Sequence, residues 1–207
     1  MRLLVLLLVA FLLGIVLAAF DVSEPISVVS SIFIIFSFSL YLFVYPIYLE
    51  KNVRKIETYL AKRRKNPLFK LYYGMGNRID EDVKEATEVL LRKYKQPARQ
   101  AMFKTLLALY EEDILRAKSD IEDIQPQQYK AYYQAIVAIE EGKMEQASEF
   151  ADQVKTEWMK HALAAGVSKK AGSHDKYVTE IQKAFENSRG LQRYIIYKQY
   201  ESDLKVG

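Results

Sequence analysis

The chain has 207 residues, of which 50% are hydrophobic and 27% charged, with a formal net charge of +4 and no cysteine. The missing cysteine excludes disulfides, thiolate metal sites and a cysteine nucleophile, and the length sets one or two domains. The average composition conceals an uneven distribution, because two runs, at 3–20 and 26–49, carry no charge at all.

At 18 and 24 residues, each run is long enough to cross a hydrocarbon core of about 30 Å as a helix. The sequence therefore predicts a two-helix transmembrane hairpin over 1–49, turned by the acidic connector DVSEP. A cleaved secretory signal competes for the first run, since LAAF supplies small residues near a cleavage position. The short n-region Met1-Arg2, the length of the run and the second run close behind favour an uncleaved anchor. Ala10, Gly14 and Ala18 form a small-residue ridge, and Ser27, Ser30, Ser31, Ser37 and Ser39 offer small and hydrogen-bonding positions opposite it. Neither run holds an ionisable group, which predicts an anchor or a docking surface rather than an ion or proton path.

Charge then sets the expected topology. The segment 50–70 has eight Lys and Arg against Glu50 and Glu57, a balance of +6, whereas 71–207 balances at −1. The positive-inside bias places both termini in the cytoplasm of a plasma (inner) membrane of bacterial type, and Tyr41, Tyr45 and Tyr48 suit the interface at the end of the second run. Residues 50–66 are predicted as a basic juxtamembrane helix and linker. There Lys51, Arg54, Lys55, Lys62, Arg63, Arg64 and Lys65 fix topology and meet anionic lipid headgroups, and Asn66-Pro67 ends the segment.

Beyond residue 66 the spacing of apolar residues is helical. Pro67, Pro97 and Pro126 are 30 and then 29 residues apart, and each opens a helical stretch, where proline is tolerated. Within each unit an acidic or turn-like break (GNRIDED, EED, EEGK) precedes a second stretch with an alanine at a fixed place, Ala86, Ala117 and Ala147. A small residue there lets two helices of a hairpin approach closely.

These units resemble the tetratricopeptide repeat. Aligned on Ala147, Gly142 falls at the turn glycine and Ala135 at the small position of the first helix; aligned on Ala86, Gly74 falls on the first-helix glycine. The resemblance covers about 67–157 and departs from the family in its period of about 30 rather than 34. It implies an all-α chain: the transmembrane hairpin, then a TPR-like α-solenoid of about three helical hairpins over 67–157, then capping helices over 158–207 with GVSKKAGSHD as a loop. A non-repetitive helical bundle with accidental proline spacing is the alternative.

Chemical signatures are sparse. GVSKKAGS lacks the P-loop spacing and its lysine, and YGMGN reads as a hairpin turn rather than a dinucleotide site. His161 and His174 belong to no metal-binding spacing. No catalytic, cofactor-binding or metal-binding residue is expected, so the chain reads as a non-enzyme without a cofactor. Fifteen tyrosines are the more informative feature, since tyrosine combines a large apolar area with a polar tip; Tyr73, Tyr129 and Tyr132 are the candidates for a partner groove, and Trp158 for a core anchor. The resulting expectation is a membrane-anchored adaptor whose cytosolic repeats bind an unidentified protein partner. The alternative is a small accessory subunit of a transporter or membrane enzyme complex, held through its hairpin. Nucleic-acid binding is disfavoured, because the basic excess does not extend across the chain.

Overall fold

A stretch rich in Ile, Val, Phe and Leu satisfies its backbone by coiling, and α1, Glu24–Tyr48, does so over 25 residues. In this computed structural model, residues 12, 15 and 24–201 are described, and every regular element among them is helical. Met1–Glu50 and Lys51–Gly207 form two separate units.

In the first unit, Val29, Phe33 and Phe36 of α1 are exposed, and the rings of Tyr41 and Tyr45 pack 5.1 Å apart. Among the described residues, no helix is long and apolar enough to cross a membrane. That finding overturns the expected localisation, a plasma membrane crossed twice with both termini cytoplasmic, and leaves the transmembrane hairpin unsupported. The first run, with Met1-Arg2 and the ridge of Ala10, Gly14 and Ala18, lies outside the described residues apart from Leu12 and Ile15. Within α1, Ser30, Ser31 and Ser37 interrupt the aliphatic sequence and Pro46 removes an amide donor near the end. The amides of Leu49 and Glu50 both return to the Tyr45 carbonyl at 2.9 Å.

The second unit opens with α2, Val53–Ala61, whose first turn is capped by the Asn52 side chain accepting from the Lys55 amide. Ile56, Tyr59 and Leu60 are its buried face. Asn66 caps α3, Pro67–Asn77, in the same way, and Pro67 occupies the first turn, where its missing N–H costs nothing. Helical hairpins follow. α3 pairs with α4, Asp80–Lys93; α5, Pro97–Tyr110, pairs with a 3-10 turn Ile114–Ala117 and the short α6, Lys118–Ile121; α7, Gln127–Glu140, pairs with α8, Met144–Ala151; and α9, Glu157–Lys170, pairs with α10, His174–Asn187.

The period is visible in the backbone. The first helices begin at Pro67, Pro97, Gln127 and Glu157, and each hairpin turn carries one left-handed residue: Arg78, Glu112, Gly142 and Gly172. Ala86, Ala117 and Ala147 are all buried where paired helices approach. The fourth hairpin, 157–187, was not anticipated: GVSKKAGSHD, expected as a loop, is helical as far as Lys170, and only 171–173 turn.

Small residues also recur eight positions into the first helices, as Thr105, Ala135 and Ala165, each at most 1% exposed. The Thr105 hydroxyl has no hydrogen-bond partner among the described residues. A buried hydroxyl without a partner costs about 1–3 kcal/mol, so Thr105→Val, which keeps the shape, is expected to raise stability by about 1 kcal/mol in thermal denaturation. A lowered melting temperature would mean that the hydroxyl is bonded in solution.

The last helix, α11, Gly190–Gln199, does not end an open array; it packs back against α2 and α3. Gly74, which the repeat alignment puts on the first helix, lies inside α3, and so does Gly76, although YGMGN reads as a hairpin turn; the two glycines make different contacts. Gly74 faces Asp82 and Val83 of α4, while a Cβ at Gly76 would stand 2.6 Å from the Tyr194 ring of α11. Tyr194 is fully buried there, and its hydroxyl accepts from Asn77 Nδ2 at 2.8 Å. Lys198 Nζ donates to Asn77 Oδ1 at 3.1 Å and pairs with Glu57 of α2 at 2.6 Å. Arg193 Nε donates to the Lys51 carbonyl at 2.8 Å. A glycine-made slot and a polar lattice thus close the second unit end to end.

Candidate partner-binding face

The periodic stack brings tyrosines from distant parts of the chain together. On α7, Tyr129 and Tyr132 are half-buried and pack against both neighbouring core clusters. The Tyr132 ring meets Tyr133 edge-on at 5.2 Å and Trp158 of α9 edge-on at 5.6 Å. Burial, and then the phenols of Tyr132, Tyr72 and Tyr129, push the Tyr133 hydroxyl well above its ordinary pKa. Burial, and then the phenol of Tyr200, likewise raise Tyr132. Tyr72 belongs to α3 and Tyr200 follows α11, where its ring meets Tyr177 at 6.0 Å, so both act on the α7 phenols through space from other helices.

Of the three expected groove tyrosines, Tyr129 and Tyr132 stand in this cluster. Tyr73 stands elsewhere, with the Arg64 guanidinium 4.9 Å from its ring centre. One residue along a helix is a rotation of about 100°, so Tyr72 and Tyr73 leave α3 in different directions, and it is the Tyr72 phenol that acts on Tyr133. Trp158 is half-buried and joins the core cluster of α7, α8 and α9. At the edge of the cluster, Thr156 Oγ1 donates to Gln128 Oε1 at 3.0 Å.

The seven basic residues divide into two groups. Arg63 and Arg64 are engaged by the fold: Arg63 lies 4.1 Å over the Tyr59 ring, and Arg64 is ion-paired with Asp82, which is only 8% exposed and also has Lys70 at 3.6 Å. Lys51, Arg54, Lys55, Lys62 and Lys65 are exposed. Each histidine has a side-chain neighbour: His161 Nδ1 lies 2.7 Å from Glu180 Oε2, linking α9 to α10, and the exposed His174 ring is tilted toward Tyr177 at 6.2 Å. Hydrogen bonds from Lys183 and then His161 hold the Glu180 carboxyl below its ordinary range. Among the described residues, no group of three or more His, Asp or Glu could hold a metal ion.

The raised phenols make the fold sensitive to alkali. Tyr110 is pushed up to about 12 by burial and by its hydrogen bond to Asp80, and Tyr132, Tyr133 and Tyr194 are raised as well. The folded state holds these protons more tightly than the unfolded chain, whose tyrosines titrate near 10. Stability from these groups is complete below about pH 10 and is lost as pH rises toward 12 and beyond. Ultraviolet titration should therefore show part of the tyrosine absorbance change arriving together with loss of helical circular dichroism; a single transition near pH 10 with helicity intact would contradict these burials. In the comparisons with known proteins, no family model, no curated protein and no solved structure matches the chain.

Proposed function

We propose that the unit from Lys51 onward is a TPR-like scaffold without enzymatic activity that binds a protein partner. The observation that carries this reading is the aromatic cluster of Tyr129, Tyr132 and Trp158, whose half-buried rings keep part of their surface open on a rigid helical framework. Tyrosine and tryptophan are the residues most enriched where binding energy concentrates, because they bury large areas at small entropic cost. A stack of helical hairpins holds such rings in fixed register, as repeat scaffolds do. The segment best suited to the cluster is a peptide or helix with apolar side chains between polar ends.

Site-specific photocrosslinking in cells tests this. A benzophenone amino acid at 129 or 132 should capture one common protein, and the same group at the exposed positions Glu149 or Lys176 should not. Capture only of further copies of this chain, or the same products from all four positions, would sink the proposal.

A further inference from the structure

The seven basic residues of 51–65 look alike in sequence but not in three dimensions. Arg63 is stacked on Tyr59 and Arg64 is held by Asp82, so both are spent within the fold. On α2 and its two ends, Lys51, Arg54, Lys55, Thr58 and Lys62 are exposed at intervals that keep them on one stripe, opposite the buried Ile56, Tyr59 and Leu60. Lys65 follows in the turn. The stripe contains no carboxylate, and Glu57 is drawn aside to Lys198 at 2.6 Å. Arg54, Lys55, Lys62 and Lys65 enter no ion pair among the described residues, whereas Lys104, Lys118, Lys143, Lys160, Lys170 and Lys183 each have a carboxylate within 3.1 Å.

We propose that this cationic stripe docks on an anionic lipid surface. Two observations select that occupant. The charge is local: 50–70 balances at +6 and 71–207 at −1, whereas a nucleic-acid binder spreads its basic surface over the fold. The residues that precede the stripe in the chain form α1, whose exposed side chains include Ile26, Val29, Ile32, Phe33 and Phe36, an apolar surface that water does not tolerate uncovered and a lipid interface accepts. Lysine and arginine near a bilayer surface are attracted by phosphate headgroups, and the chain joins them directly to α1. The docking requires no crossing of the bilayer and is independent of the protein-binding reading above.

Flotation of the full-length protein with vesicles is the test. Vesicles of phosphatidylcholine alone are compared with an equal mixture of phosphatidylcholine and phosphatidylglycerol. Partitioning should favour the anionic mixture by about tenfold or more, and the preference should shrink as salt is raised. The variant R54Q/K55Q/K62Q/K65Q should lose the preference while keeping its circular dichroism, and Arg63→Gln should retain it. If the fourfold variant folds poorly, K62Q/K65Q, outside the helix, should halve the preference or more. Equal partitioning into both vesicles, a preference that survives the fourfold change, or displacement of the protein from anionic vesicles by short duplex DNA or an acidic peptide would each overturn the proposal.

Discussion

Tyr194→Ala is expected to cost about 3–5 kcal/mol, the range for removing a buried aromatic ring. Tyr194 has no exposed surface, fills the slot over Gly76 and accepts the Asn77 hydrogen bond. Its removal opens a cavity between α11 and α3 and takes away one of the two acceptors of the Asn77 amide, leaving the Tyr73 carbonyl at 3.0 Å. At about 2–4 °C per kcal/mol for a chain of this size, the melting temperature should fall by roughly 6–20 °C. Tyr194→Phe should lose only the share due to one hydrogen bond, about 1 kcal/mol.

Gly76→Ala is expected to destabilise by about 1–3 kcal/mol even though alanine is the better helix former. The added methyl would lie 2.6–2.7 Å from two ring carbons and the hydroxyl oxygen of the buried Tyr194, which cannot swing away without breaking the closure. Gly166→Ala is the control with the opposite sign. Its nearest neighbour is Ile139 Cδ1 at 3.5 Å, an ordinary contact, so the helical gain of about 0.5–1 kcal/mol should be realised. The penalty at 76 is specific to the ring and should vanish in the Tyr194→Ala background, a non-additivity that a double-mutant cycle reads directly. Equal costs for Gly76→Ala with and without the ring would show that the contact is not made in solution.

The hairpin period was legible because proline, turn and small residues each mark it locally. Pro67 and Pro97 do open helices, and Ala86, Ala117 and Ala147 are buried at the approach of paired helices. The fourth hairpin escaped because Glu157 follows Thr156 rather than a proline and because Tyr177 stands where an alanine marks the other three. Its glycine misled as well: Gly166 sits in the middle of α9, not in a loop. End-to-end closure has no local signature, since Asn77 and Tyr194 are 117 residues apart, and only the missing Cβ of Gly76 hints at it.

The same limit governs the candidate sites. Tyr129 and Tyr132 are identifiable as tyrosines three residues apart on one helix, but the choice between Tyr72 and Tyr73 depends on which direction each leaves α3. The basic run reads as one cluster in sequence, yet the stacking of Arg63 and the pairing of Arg64 divide it through residues up to Asp82. The uncharged runs misled in another way, because counting apolar residues measures capacity for a span and the expected hairpin found no support among the described residues.

The closed array is the claim on which both the aromatic face and the placement of the basic stripe depend. Hydrogen exchange on a chain ended after Asn187, lacking α11, tests it most directly. Closure predicts that amides of 53–77, more than a hundred residues away in sequence, lose protection along with those of 174–187, because α2 and α3 lose their cover. Loss of protection confined to 157–187, with 53–77 unchanged from the full chain, would contradict it.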